Sequence, residues 1–209
     1  MYRKQQGFTL VEIAIVLVII GLLLGGVLKG QELINSAKVK NFATDFRNIP
    51  LFIYGYQDKF RALPGDDAAV NTTHLGPTVG GVTVVKASGP TGAVQGNGVI
   101  EGTWDSTGLT DESILFWHHV RLAGLAAGPT TAPTTTTIED FRPKNADGGI
   151  IGIEAGNSAT PYITGLTGTY IVCSRGILGK FAKQLDVTMD DGNTATGSMR
   201  AVAVGASRG

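Results

Sequence analysis

The sequence predicts an α+β protein in which one long N-terminal helix is followed by a C-terminal globular head. Three observations predict this class. Residues 8–28 are apolar, an apolar stripe with helical spacing continues to Phe60, and the chain beyond residue 61 is rich in Gly and Thr. Gly and Thr favour turns and strands, so the head is expected to contain an antiparallel β-sheet and short helices. Its length of about 150 residues suffices for one modest domain.

The apolar segment 8–28 is long enough to span a membrane as a helix. At about 1.5 Å per residue it would measure roughly 31 Å, close to the thickness of a bilayer core. Arg3 and Lys4 precede the segment. Because basic residues stay on the cytoplasmic side, the leader is expected in the cytoplasm and the head beyond the membrane.

Two simpler interpretations of this segment compete, a secretory signal and a plain membrane anchor. A secretory signal has a shorter apolar core and a small-residue cleavage site after it. Gly25-Gly26 is a poor substitute for such a site. A plain anchor leaves Glu12 unexplained, because a carboxylate within a membrane is costly and is usually paired or functional.

The six residues GFTLVE, which run from Gly7 to Glu12, closely resemble the processing site of the type IV pilin and pseudopilin family. The resemblance implies cleavage between Gly7 and Phe8, and N-methylation of the Phe8 amine, by a membrane-embedded prepilin peptidase. It also implies that Glu12 matches the family's glutamate that neutralises the amino terminus of a neighbouring subunit during filament assembly. Such a pairing is physically reasonable, because two buried opposite charges are each costly alone and tolerable together.

The resemblance implies a pilin-like architecture with four segments. These are a cleaved leader at 1–7, a transmembrane or filament-core half-helix at 8–28, an amphipathic half-helix at 29–61, and the head at 62–209. The subunit is expected in the bacterial inner membrane as a single-pass protein, with its head in the periplasm. After assembly it would belong to an extracellular pilus or a periplasmic filament.

The second half of the long helix is predicted from an apolar stripe with steps of three and four residues. The stripe consists of Val39, Phe42, Phe46, Ile49, Ile53, Tyr56 and Phe60. Gly21, Gly25 and Gly26 weaken the first half and are expected to permit loss of helical structure when the subunit enters a filament. Pro50 removes one helical hydrogen bond and is expected to bend the second half.

The head sequence predicts several short elements. Strands are expected at 82–87, 99–101, 149–154, 169–174 and 198–204. A second helix is expected to begin after a cap at Thr110, to end at Gly124 or Gly128, and to be amphipathic. A short helix is expected at 177–185.

The chain has one cysteine, Cys173, so an internal disulfide is excluded and the thiol is expected to be buried. Many type IV pilins close a C-terminal loop with a disulfide, and this sequence departs from that pattern. Calcium binding by acidic turns is an alternative support, and some pseudopilins use it. The candidate ligands are Asp66, Asp67, Asp190, Asp191 and Asn193; the competing interpretation is two ordinary polar turns.

No motif indicates an enzyme. His118 and His119 are adjacent on a predicted helix and cannot both bind one metal, and His74 has no partner nearby in the sequence. The chain has 17 basic and 17 acidic residues, and losing Arg3 and Lys4 leaves a net charge of about −2. This balance gives no support to nucleic-acid binding.

Three functions remain open at the level of sequence. The first is a structural subunit of a type IV pilus or a related filament, whose partners are copies of itself, other pilin-like subunits, an inner-membrane assembly platform and, before assembly, membrane lipid. The second is a pseudopilin of a type II secretion system that drives protein export. The third is a membrane-anchored adhesin or binding protein.

Overall fold

The computed structural model of the protein describes residues 9–157, 162–163, 165–203 and 205. It has the pilin-like α+β organisation that the sequence predicts. The elements are α1 (Leu10–Phe60), β1 (Thr78–Val79), β2 (Val82–Thr83), α2 (Glu112–Leu122), α3 (Ile138–Phe141), β3 (Ile151–Ala155), β4 (Tyr170–Ser174) and α4 (Gly179–Met189). The chain divides into two compact units, Met1–Lys38 and Val39–Gly209, which are described separately.

In the first unit, the apolar side chains of α1 are exposed. Every residue from Thr9 to Lys29 is solvent-accessible, and Leu10 and Leu22 keep 91% and 73% of their surface. None of these side chains is buried by the described part of the unit. The segment therefore presents a continuous apolar surface that the described part of its own unit does not cover.

In the second unit, the predicted stripe on α1 forms one side of the core. Val39, Phe42, Ile49, Ile53 and Tyr56 are buried, while the remaining two members are half-buried. The upper part of the stripe packs against α4, and the lower part packs against α2, α3 and β3. The helix is continuous through Pro50. The spacing of the apolar residues thus identified both the helix and the face that it buries.

Helix α2 differs from its prediction in two respects. Its N-cap is Asp111 rather than Thr110, and all eleven of its residues are buried, so it is not amphipathic. The reason is that loops and β3 cover the face that the polar residues were expected to expose. Its end agrees with the sequence, because Gly124 adopts a φ of 76°, which is favourable for glycine after a helix.

The sheet structure is smaller than predicted. β1 pairs with β2 and β3 pairs with β4, each as a two-stranded antiparallel sheet. The predicted strands at 149–154 and 169–174 correspond to β3 and β4. The strand predicted at 82–87 shrinks to two residues, and no strand forms at 99–101. The backbone of the glycine-rich segments is instead satisfied by single hydrogen bonds to other loops and to α2 side chains, such as Gly96 N–H to the Asp66 carbonyl and Val85 N–H to His118 Nε2.

The C-terminal elements also differ in detail. α4 begins two residues later than predicted and continues to Met189. No strand forms at 198–203, and Val204 lies outside the described residues. A π-helical turn, Val70–His74, and the four-residue helix α3 had no sequence signal. Cys173 lies in β4 and is buried, as predicted.

Candidate assembly site

The site begins at the first turn of α1, where Thr9 and Glu12 are hydrogen-bonded to each other. The Glu12 carboxylate accepts the Thr9 backbone N–H at 2.7 Å and the Thr9 hydroxyl at 2.8 Å. In return, the Glu12 N–H donates to Thr9 Oγ1 at 3.2 Å. This reciprocal arrangement is a capping box, which satisfies N–H groups that have no partner within the helix. Glu12 therefore has a local structural role in addition to any role in assembly.

The two oxygens of the Glu12 carboxylate are not equivalent. Both bonds from Thr9 end on Oε2. Oε1 accepts no hydrogen bond from the residues that the structure describes. One oxygen thus fixes the start of the helix, and the other has no hydrogen-bond partner among the described residues.

The surface that surrounds Glu12 suits a lipid environment. α1 is long and apolar enough to cross a membrane by length and composition, and none of its most apolar window is buried within the chain. That exposure excludes the interpretation of a core helix of a soluble domain. Contiguous exposed apolar surface of this extent normally contacts a membrane or another protein.

The other predicted residues of this site are placed as follows. Gly7 and Phe8, the predicted cleavage pair, lie outside the described residues. Gly21, Gly25 and Gly26 are exposed on a regular helix, and a Cβ at any of them would meet no atom within 4 Å. No contact within the described chain therefore requires glycine there, and their contribution to helix flexibility stays a prediction.

The carboxylates of the first acidic turn, Asp66 and Asp67, are hydrogen-bonded to other parts of the protein. Asp66 accepts the backbone N–H groups of Gly96 and Gly98, the latter at 2.7 Å. Asp67 accepts the Tyr56 hydroxyl at 2.7 Å and contacts the ring of His74. These contacts give both buried carboxylates a structural explanation that needs no metal.

The second acidic turn has a different arrangement. Asp190 and Asp191 each bring a carboxylate oxygen within 4.8 Å of an oxygen of Asp186, which the sequence interpretation did not include. Asn193 donates its backbone N–H to Asp191 at 2.8 Å. Asp186 lies in α4 and Asp190 is the residue that follows the helix. Their spacing of four residues, which brings side chains together where a segment is helical, was the signal that could have revealed the group.

The histidines of α2 are structural. His119 Nδ1 accepts the Gly65 N–H at 2.9 Å, and its Nε2 lies 2.8 Å from the Val85 carbonyl oxygen. Because a carbonyl only accepts, Nε2 carries the proton and the ring is neutral. Burial lowers the pKa of His119 to about 4, which agrees with this assignment. His118 Nε2 accepts the Val85 N–H at 3.1 Å.

Comparison with known proteins gives one match. Residues 2–28 match the prokaryotic N-terminal methylation motif. Comparisons with curated proteins and with solved structures found no match. The motif is typical of type IV pilins and of type II secretion pseudopilins.

The motif has consequences for the whole chain. It implies a pilin-like subunit that is processed by prepilin peptidase and assembles into pilin-like filaments. Together with the apolar helix it indicates anchoring in the inner membrane before assembly. Subunits of this kind are typically non-enzymatic structural proteins.

Proposed function

We propose that this protein is a structural subunit of a type IV pilus or a closely related filament. Prepilin peptidase cuts between Gly7 and Phe8, and the new Phe8 amine is methylated. Residues 8–28 then hold the subunit in the inner membrane, with the head at 62–209 in the periplasm. The observation that carries the proposal is the methylation motif on a helix whose apolar surface is exposed in the described part of the chain.

Glu12 supplies the specific contact in this proposal. Its Oε2 retains the Thr9 bonds that start α1, and its Oε1 pairs with the Phe8 amine of a neighbouring subunit. A single charge in an apolar environment costs several kcal/mol, so each partner favours the arrangement that neutralises it. Transfer from lipid into a filament is tolerable because the same apolar surface is covered by neighbouring helices.

The destination of the filament is tested by shearing intact cells, imaging the released material by electron microscopy, and identifying the protein in it. A pilus subunit is recovered in long surface fibres. Retention in the envelope, with a secretion defect on deletion, would instead assign it to a type II secretion pseudopilus.

The third function, a plain membrane-anchored binder, is tested by mass spectrometry of the mature N-terminal peptide. A filament subunit begins at Phe8 and carries a methyl group on its amine. A binder without prepilin processing retains the leader 1–7, and recovery of that form as the stable product would refute the proposal.

A further inference from the structure

Strand β4 has one edge that no other strand covers. It pairs with β3 alone, and Arg175 N–H, just beyond the strand, donates to the Ile150 carbonyl at 3.0 Å. Because such bonds alternate along an antiparallel pair, every second residue of β4 turns its backbone N–H and C=O away from β3. These residues are Tyr170, Val172 and Ser174. Their backbone groups have no hydrogen-bond partner in the part of the chain that the structure describes.

A cavity of about 640 Å³ lies along this open edge. Every residue from 170 to 177 lines it. Because successive side chains of a strand point to opposite faces, an unbroken run of lining residues means that the cavity meets the edge of β4 rather than one of its faces. Its other walls include Phe46 and Pro50 of α1, one face of α4, and the segment 198–203, which forms no strand. We call this cavity the β4 groove.

The volume of the β4 groove suits a short stretch of extended chain. In a packed sheet, one strand residue takes up roughly 160 Å³, from a rise of about 3.3 Å, a strand spacing of about 4.8 Å and a layer spacing of about 10 Å. The groove therefore has room for about four residues of an added strand. Unpaired strand edges of this kind are templates for pairing with another chain.

The α4 wall of the groove carries one acidic group among apolar neighbours. Leu185 and Met189 line the groove on the same helix face as Asp186. Asp186 has 0% of its surface exposed, and neither carboxylate oxygen has a hydrogen-bond partner among the described residues. Asp190 and Asp191 bring further carboxylate oxygens within 4.8 Å of it. Because an unpaired buried carboxylate is strongly unfavourable, a positive group that enters the groove is favoured at this point.

We propose that the β4 groove binds an extended peptide segment of another protein, in which a Lys or Arg side chain is flanked by apolar residues on the same face. The peptide adds to the open edge as a third strand and bonds to the backbone of Tyr170, Val172 and Ser174. Its apolar side chains pack on α4, and its basic side chain pairs with Asp186. Main-chain bonds thus give affinity, and the side chains on one face give specificity. The proposal does not depend on the type of filament.

The test uses the acetylated and amidated peptide Val-Thr-Lys-Thr-Val, whose valines and lysine share one face of a strand. Isothermal titration calorimetry with the full-length protein in detergent micelles and EGTA is expected to show one site per chain, with micelles alone as the blank. The same peptide N-methylated at the lysine and at both threonines cannot donate its central backbone N–H groups. It is expected to bind about tenfold more weakly, or not at all.

The variant Val172→Pro tests the strand edge from the side of the protein. The Val172 N–H points away from β3, so proline removes an edge donor and leaves the β3–β4 bonds in place. Affinity for the peptide is expected to fall about tenfold. Asp58→Asn, an exposed change elsewhere in the second unit, is the control and keeps full affinity. If Val172→Pro does not fold by circular dichroism, the N-methylated peptide carries this comparison with the wild-type protein.

The variant Asp186→Asn tests the basic side chain. A peptide with norleucine in place of lysine keeps the apolar chain without the charge, and the wild type is expected to bind it about tenfold more weakly than the lysine peptide. Asp186→Asn is expected to bind the two peptides equally, while N-methylation still weakens both. Equal affinities of the wild type for the lysine and norleucine peptides would refute the pairing with Asp186.

Three other results would overturn the proposal. The first is the absence of a calorimetric signal with the wild type. The second is equal binding of the plain and the N-methylated peptides, which would exclude a strand. The third is a dimer of the peptide-free wild type, measured by light scattering, that Val172→Pro dissociates, since a second copy of the chain would then occupy the edge.

Discussion

In two helices of this molecule, the exposure of the side chains is the opposite of what their composition would suggest for a soluble protein. Residues 10–28 of α1 are almost entirely apolar and exposed, whereas α2 is buried throughout and contains four ionisable side chains. These are Glu112, His118, His119 and Arg121. The difference shows where the partners are: those of α2 lie within the chain, and those of α1 must come from outside it.

The polar groups of α2 illustrate the first half of this comparison. The Arg121 guanidinium donates to the Phe141 carbonyl at 2.8 Å, and His119 bridges two loops. Each of these hydrogen bonds satisfies a backbone group that lies outside the β-sheets. The polar side chains of α2 thus supply hydrogen bonds that a larger sheet would otherwise supply. The apolar side chains in the first part of α1 have no comparable contacts among the described residues. Each large side chain left in water forgoes roughly 1.5 to 3 kcal/mol of burial free energy.

The largest expected effect comes from changing Glu12, because assembly as proposed requires its charge to pair with the neighbouring Phe8 amine. Glu12→Ala is expected to leave processing largely intact and to abolish filaments. Glu12→Gln preserves the capping acceptor while it removes the charge, and it is expected to give the same loss. Filaments are counted by electron microscopy, and cleavage is followed by mass spectrometry of the N-terminal peptide.

Two control variants separate charge from capping at this site. Thr9→Ala removes the hydroxyl of the capping box, costs about 1 kcal/mol of helix stability, and is expected to leave filaments present. Glu32→Ala removes an exposed acidic residue farther along α1 and is expected to be neutral. Normal piliation of Glu12→Gln would refute charge pairing and leave Glu12 with its capping role alone.

A smaller effect is expected from His119→Leu, which tests the buried polar helix. The change leaves the Gly65 N–H and the Val85 carbonyl without their partner, and we expect a loss of about 2 to 4 kcal/mol in unfolding free energy. Urea titration of the detergent-solubilised chain measures it. Gln184→Leu, at an exposed position of α4, is expected to stay within about 0.5 kcal/mol of the wild type. Equal stabilities of the two variants would contradict the structural role of His119.

The smallest effect concerns the pH dependence contributed by Glu112. Burial, together with the nearby Asp66 and Glu101 carboxylates, raises the pKa of Glu112 to about 8 from an ordinary value of 4.5. The unfolded chain thus releases this proton more readily than the folded chain. Stability from this group is full below about pH 4.5 and is lost as the pH rises towards about 8.

Glu112→Gln is expected to flatten this dependence, because the amide cannot ionise and its oxygen still accepts the Glu101 N–H. The measurement is the urea midpoint between about pH 7 and pH 8, where His119 is neutral in the folded chain and mostly neutral in the unfolded chain. The wild type should lose more stability over this range than the variant. Parallel curves would show that Glu112 does not carry the dependence.

The sequence was most informative where a pattern was long and local. The stripe from Val39 to Phe60 fixed α1 and its buried face because seven apolar residues repeat the helical period. The capping box was equally visible as Thr9 and Glu12, three residues apart before an apolar run, although only the charge of Glu12 attracted interpretation.

The remaining features depend on contacts that are distant in the sequence. Nothing local shows that His119 meets Gly65 and Val85, so α2 was predicted to expose its polar residues. Asp186 was missed because the helix predicted at 177–185 ends one residue before it, whereas α4 continues to Met189. β1 and β2 are two residues each, too short to produce an alternating pattern.

In the proposed filament, neighbouring subunits cover the apolar half of α1. This cover is tested by labelling sheared, lipid-free filaments with a membrane-impermeant maleimide in a Cys173→Ala background. One filament sample carries Leu17→Cys in the apolar segment, and the other carries Val94→Cys on the head. Both side chains are well exposed in the single chain, at 63% and 59%.

Intact filaments are expected to be labelled at position 94 and protected at position 17. Dissociation in denaturing detergent should make position 17 reactive, which controls for the chemistry of the thiol. Equal labelling of the two positions in intact filaments would contradict the claim, because the apolar surface would then be open to water.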